Sequence, residues 1–353
     1  MRMPIKIATA LAVACVVALT GLSAGPALAR PAPAARSVPA PGSVVAVGDA
    51  TTQFLADQLA ATWDAGHRGK TQIDSVSSTG TAKIVTKQGC RPIPRPNGSA
   101  PGIRALVANV RDPVSKKNFC VDFARVTRSR APTDPSNVVF VPLALDNVTY
   151  ATAPKSNAPR NLTTHDLAEI YTCTVTNWDK FKGGRNAPIK ALLPQAGSGT
   201  AAFFQAVIGV STPPHCVSQP ASLEENEGTN SVFTGKSAAD EIIPFSSGVW
   251  VAQAYHSALC GKKPTATQNT FGCDANGKLQ LNDINGTSPV ADKALSLTFT
   301  RDFIRTLFDV VRTAHTADTI PSYLEPFLGQ KGLFCTNPAV IRDYGFVPTP
   351  ACG

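Results

Sequence analysis

The 353-residue chain lacks the features that mark several common protein classes. It has no Cys-x-x-Cys pair, and His67, His165, His215, His256 and His315 are scattered, so no zinc-site spacing is present. No dense Lys/Arg run carries interleaved aromatic residues. The tightest basic cluster, Arg125, Arg128 and Arg130, spans only six residues, which argues against nucleic-acid binding. No repeat of solenoid period is visible. Ser198 lies in a glycine-rich turn, but the Gly-x-Ser-x-Gly pattern of a nucleophile elbow fails because residue 196 is Ala and residue 200 is Thr. Glu224, Glu225, Glu227, Asp240 and Glu241 read as solvated charges on loops and a helix face, not as paired acid and base. These absences argue against an enzyme, and neither a metal nor another cofactor is expected.

What is present first is an export signal. Arg2 and Lys6 precede an apolar run from Ile7 to Leu22, and Ala27-Leu28-Ala29 suits cleavage, so residues 1–29 read as a signal peptide and the product as secreted. The run is interrupted early for a spanning helix, although a retained N-terminal anchor stays open. Cys15, inside the run, is a poor site for lipid attachment. Cleavage leaves about 324 residues, enough for two domains with a sizeable core. Two of the 33 basic residues and none of the 24 acidic ones lie in the leader, so the formal charge of +9 becomes about +7, a modest bias toward anionic partners. Eight cysteines remain: Cys90, Cys120, Cys173, Cys216, Cys260, Cys273, Cys335 and Cys352. An even count in an exported chain implies disulfides, and of the 105 pairings the nearest-neighbour set is the expected one.

Along the chain, residues 30–43 form a Pro/Ala-rich lead-in. Val44 to Val47 reads as a strand that enters Gly48-Asp49-Ala50-Thr51-Thr52, followed by a helix with Leu55, Leu59 and Trp63 on one face. Gln72 to Val76 repeats the pattern into Ser77-Ser78-Thr79-Gly80-Thr81, with a helix expected at Ile84 and Val85. Lys87 to Lys117 reads as a surface excursion braced by Cys90 and Cys120. Strands are expected at Val121 onward, at Val138 to Leu143, at Val148 to Thr152 and at Leu295 to Thr300. Helices are expected at Leu162 to Tyr171, with Thr163 and Asp166 as a capping box, near Ser237 to Glu241, and at Asp302 to Arg312. The organising stretch is Leu192 to Phe204. There an apolar strand ends in Gln195-Ala196-Gly197-Ser198-Gly199-Thr200, and Phe203, Phe204, Val207 and Ile208 begin a helix. The free amides and partial positive charge of such a helix start suit a small anion. Simple capping by Ser198 or Thr200 is the alternative.

Taken in order, these motifs resemble the phosphate-binding proteins that serve ABC transporters. They are Gly48 to Thr52, Ser77 to Gly80, Val121 to Arg128, Leu167 to Tyr171 with Asn177-Trp178, Gln195 to Thr200, and Ile243 to Val249. The resemblance spans most of residues 44–353. It implies an α/β, two-lobed, type II periplasmic-binding-protein-like fold, each lobe a mixed sheet flanked by helices. Residues 44–151 and 291–353 would form one lobe and residues 152–290 the other. It further implies a monomer, a possible ABC permease partner, and a cleft that holds a tetrahedral oxyanion, phosphate above all. Carried over by position, the ligand-binding residues would be Thr51, Thr52, Ser78, Gly80, Thr127, Arg128, Gln195, Ser198, Gly199 and Thr200. Pro194 and Ala201 stand where the family usually has arginine, and one of Arg125, Arg128 or Arg130 is the candidate substitute. Thr127 stands where many members have an aspartate, which predicts weaker discrimination against sulfate, since an ionised carboxylate can only accept. The alternative is the same fold holding another anion or small polar metabolite, or a secreted interaction module without a transport role.

Overall fold

The computed structural model describes residues 38–108, 110–255, 277–313 and 319–353. The leader, the lead-in up to residue 37, His256, His315 and the expected Cys260–Cys273 bridge lie outside them. Three expected disulfides are formed, Cys90–Cys120, Cys173–Cys216 and Cys335–Cys352. Each closes a loop and contributes roughly 2–4 kcal/mol.

The sheet is mixed. Strand β1 (Val44–Gly48) runs parallel to β2 (Ile73–Ser75) and to β3 (Phe123–Val126). Then come β4 (Val138–Thr152), β5 (Lys190–Ala191), β6 (Glu241–Ser246) and β7 (Ile304–Arg312). Their order across the sheet is β2-β1-β3-β7-β4-β6-β5. Strand β4 is one continuous element of 15 residues, where two shorter strands were expected. It pairs with β7 as far as Asn147 and with β6 from Val148. Pro142, which has no amide hydrogen to donate, sits at the bulge where the β4–β7 register shifts.

Every side chain of β1 is buried, because both faces are covered. Val44 and Ala46 join Leu55, Ala56 and Leu59 of helix α1 (Gln53–Gly66), while Val45 and Val47 join Ile103 and Leu106 of α2 (Ser99–Val107). This is the two-residue alternation of a strand sandwiched between helices. A second apolar core gathers Tyr171 of α3 (Thr164–Tyr171), Trp178, Leu193, Ile242, Phe303 and Phe204 of α4 (Gly199–Val207). Helix α5 (Ser247–Tyr255) follows β6 directly.

Several expectations need correcting. Asp302 to Arg312 forms a short 3-10 turn and then β7, not a helix. Ile84 belongs to a two-residue strand paired with Ile93–Pro94, so no helix starts there. Helix α2 lies inside the supposed surface excursion, and residues 238–240 form only a 3-10 turn. Within the expected strand Leu295 to Thr300, only Leu295 is in a strand. The Thr163/Asp166 capping box is present.

Candidate functional site

The site is built where the turn after β1 meets the start of α4. The first four amides of α4 all have acceptors. Gly199 N donates to Asp49 Oδ2 (3.0 Å), Thr200 N to Glu225 Oε2 (3.4 Å), Ala201 N to Ser198 Oγ (3.1 Å) and Ala202 N to Ser198 O (3.2 Å). Ser198 therefore caps the helix. Its hydroxyl hydrogen goes elsewhere, to Glu225 Oε2 at 2.6 Å. Two carboxyl groups thus face the positive end of a helix, where negative charge is favoured.

Asp49 is held from several sides, accepting from Thr51 N (3.1 Å) and Ser99 Oγ (2.7 Å). Glu225 Oε1 accepts from Ala50 N at 3.1 Å, so this one carboxyl group joins the turn before α1 to the turn before α4. Both acids are almost wholly buried. Burial raises both carboxyls. For Asp49 the hydrogen bonds from Glu225 and Ser99 and the charge of Arg305 outweigh it and hold the group low. Glu225 is pushed well up by burial and by the neighbouring Asp49 charge.

Arg305 of β7 brings a guanidinium to the start of α4. It pairs with Asp146 Oδ2 (2.8 Å) and donates through Nη1 to Thr127 O (3.0 Å) and Thr200 Oγ1 (3.2 Å). Asp146 is the residue opposite it in the β4–β7 ladder and also accepts from Ser246 Oγ and Gly248 N. Of the three candidate substitutes, Arg125 lies against the backbone of the β1 turn, and the other two are engaged elsewhere. Arg125 donates to Asp49 O, Val76 O and Ser75 Oγ. Arg128 is paired with Asp134, and Arg130 bonds Pro135 O and Val138 O.

Of the residues singled out from the sequence, the structure gathers Thr51, Thr52, Thr127, Gln195, Ser198, Gly199 and Thr200. Thr51 Oγ1 lies 3.5 Å from Thr200 Oγ1 and accepts from Asn226 Nδ2. Gln195 Oε1 accepts from Glu225 N. The buried hydroxyls Thr52 Oγ1 and Thr127 Oγ1 have no hydrogen-bond partner. Ser78 is buried but donates, through both N and Oγ, to Gln53 Oε1. Gly80 is exposed beside the Arg95 guanidinium, and Arg128 faces Asp134. These last two stand outside the cluster. Contact is close at Gly199, where a Cβ would lie 2.2 Å from both Ser99 Oγ and Thr127 Oγ1 and 2.7 Å from Asp49 Oδ2. Sequence reasoning missed Asp49, Ser99, Glu225 and Arg305. Asp49 stood inside a quoted motif, but no local pattern marked the other three, and Glu225 is buried where a solvated charge was expected. Among the described residues, no group of three His, Cys, Asp or Glu is placed to hold a metal ion, and no helix is long and apolar enough to cross a membrane.

Comparison with known proteins adds the following. The family described as PBP superfamily domain matches residues 39–243. No curated protein matches the sequence. An ABC-type phosphate transport receptor from Vibrio cholerae is 16% identical, with a TM-score of 0.55 over 86% of this chain and 99% of its own. A substrate-binding protein assigned to phosphate ABC transport in Clostridium perfringens, solved with bound phosphate, is 15% identical. Its TM-score is 0.55 over 87% of this chain and 99% of its own. At these identities the likeness is one of fold.

Proposed function

The chain belongs to the PBP superfamily, and from that premise we propose that it is an exported, non-catalytic receptor for a small tetrahedral oxyanion, inorganic phosphate first. One observation carries the reading. The buried hydroxyl Thr127 Oγ1 lacks a partner beside a helix start whose donors already hold carboxyl oxygens, and Thr52 Oγ1, just before α1, is likewise buried and unpartnered. An unpaired buried hydroxyl is costly, and an oxyanion with four acceptor oxygens relieves that cost. Ser198 Oγ, Gly199 N, Thr200 N, Thr51 Oγ1 and Ala50 N complete the donor set, and Arg305 stands in for the arginines missing at 194 and 201.

In this reading residues 44–151 with 291–353 form one lobe and residues 152–290 the other, and the ligand seats between their turns. The selectivity expected from Thr127 changes. Asp49, against the Gly199 amide, returns a carboxylate acceptor to the site. A proton carried by phosphate satisfies that acceptor and sulfate has none to offer, so phosphate is preferred. Uptake through an ABC permease, with the receptor acting as a monomer, is the role that fits.

Titration calorimetry of the secreted chain with phosphate and with sulfate tests this. Phosphate should bind one to one, with sulfate weaker. Absence of binding at a Kd of about 1 mM, equivalent to −4.1 kcal/mol, refutes it.

A further inference from the structure

Glu225 makes the contacts that a bound anion would make. Its Oε1 takes the Ala50 amide at 3.1 Å, and its Oε2 takes the Ser198 hydroxyl at 2.6 Å and the Thr200 amide at 3.4 Å. These donors come from two turns about 150 residues apart in the chain, brought together around one carboxyl group. Among the described residues Glu225 makes no ion pair: Arg305 is paired with Asp146, and the titratable group beside Glu225 is another carboxyl, Asp49. A carboxyl group held inside a protein without an ion pair stays there through the hydrogen bonds it receives.

The segment around it is built to keep it in place. Glu225 N donates to Gln195 Oε1 (2.9 Å), and Gln195 Nε2 donates to Asn97 Oδ1 (2.9 Å). Asn97 Nδ2 in turn reaches both carboxylate oxygens of Glu224 (3.0 and 2.8 Å). On the other side Asn226 takes a left-handed backbone conformation, φ 61°, which asparagine tolerates better than most residues. It donates to Thr51 Oγ1 and accepts from Ser246 N. Three consecutive side chains, Glu224, Glu225 and Asn226, therefore form a polar strap across the site, with Glu225 at its centre. Thr127 Oγ1 is a second, separate sign that a ligand belongs here. It is buried and unpartnered, and it lies 2.2 Å from where a Cβ on Gly199 would be.

Resting on the oxyanion reading above, we propose that Glu225 is an internal occupant of the anion site, whose carboxyl group the incoming oxyanion must displace from Ser198, Thr200 and Ala50. The empty protein then keeps its helix-start donors satisfied, and binding is an exchange of one set of acceptor oxygens for another. The observed affinity falls below the intrinsic one by the fraction of molecules in which Glu225 has swung out. Glu225 thus sets the affinity of the site without being a ligand-binding residue.

Two substitutions test this. Glu225→Ala empties the place. Glu225→Ser withdraws the carboxyl group from the place but keeps a short polar side chain. Both variants, checked for folding by circular dichroism, are titrated with phosphate and with sulfate beside the unaltered chain. At least one anion should bind both variants tenfold or more tighter than it binds the unaltered chain. A folded variant that binds both anions no more tightly than the unaltered chain, or binds neither, overturns the proposal. If Glu225→Ala does not fold, Glu225→Ser alone decides. An unaltered chain that binds phosphate beside variants that gain nothing would sink this inference and spare the proposed function. An unaltered chain that binds neither anion beside variants that bind would do the reverse.

Discussion

Replacing Arg305 with methionine is the most informative perturbation of the site's framework. The guanidinium donates to Asp146 Oδ2 through Nε (3.0 Å) and Nη2 (2.8 Å), to Thr127 O (3.0 Å) and to Thr200 Oγ1 (3.2 Å). Both partners of the ion pair are buried, at 1% and 0% side-chain exposure, so solvent does little to screen the loss. Removing one partner of a buried pair costs about 3–5 kcal/mol, mostly because the other charge is left uncompensated. Asp146 would keep Ser246 Oγ (2.8 Å) and Gly248 N (3.0 Å), which places the expected cost near about 3 kcal/mol. Converting Asp146 to asparagine in the same molecule removes the stranded charge, so the double variant should be more stable than the sum of the single losses predicts, by about 1–3 kcal/mol. Urea denaturation of the four proteins measures this. Phosphate titration of Arg305→Met should show weaker binding as well, because the Thr200 hydroxyl loses its anchor. A cost below about 1 kcal/mol, the range of exposed pairs, or simple additivity of the two single changes, would refute the reasoning.

Two further predictions concern the same framework. Asp309 of β7 is buried opposite Arg125, and burial lifts its carboxyl to about 7, with Arg125 pulling the other way. The unfolded chain releases that proton near pH 3.9. Between those values the folded state binds the extra proton, so this group's contribution to stability is lost as pH rises from about 4 to about 7. Asp309→Asn should therefore gain about 2–4 kcal/mol over the unaltered chain between about pH 4.5 and pH 8. A difference in urea stability that stays level across that range would refute it. Gly199→Ala places a methyl group against Ser99, Thr127 and Asp49, and should cost about 1–3 kcal/mol and weaken phosphate binding. Unchanged melting temperature and affinity would show that the turn has room.

The sequence was legible wherever the signal was local. The β1 turn, the Gly-Ser-Gly-Thr helix start and the Thr163 capping box could each be read from neighbours a few residues apart, and three cysteine pairs, 17 to 43 residues apart, from their order along the chain. Residues 302–312 were misread for a definable reason. Ile304, Leu307, Val310 and Val311 match a helical period, while Arg305, Asp309 and Arg312 resemble its polar face. In fact burial alternates from Ile304 to Asp309 with Arg305 and Asp309 on the buried face, so the strand's two-residue period is hidden by charges standing where apolar residues would mark it. Pro101 and Gly102 looked like loop residues, yet a proline in the first turn of a helix sacrifices no intrahelical hydrogen bond. Glu225 and Arg305 were invisible because their partners are distant in sequence, 175 residues away at Ala50 and 159 at Asp146. A burial that depends on such remote partners leaves no trace in the residues on either side.

The close packing of α2 on β1 has a consequence at the start of that helix. Gly48, at φ 114°, and Gly102 approach so closely that a Cβ on Gly102 would come within 2.9 Å of the Gly48 Cα. Three residues before Gly102, Ser99 opens α2, donating to Asp49 and accepting the Thr127 amide. The thickness of the helix–strand layer at this pair of glycines therefore works as a spacer, fixing how far Ser99 reaches toward Asp49. A bulkier residue there would retune the proposed anion site from behind while leaving its hydrogen-bonding groups chemically intact.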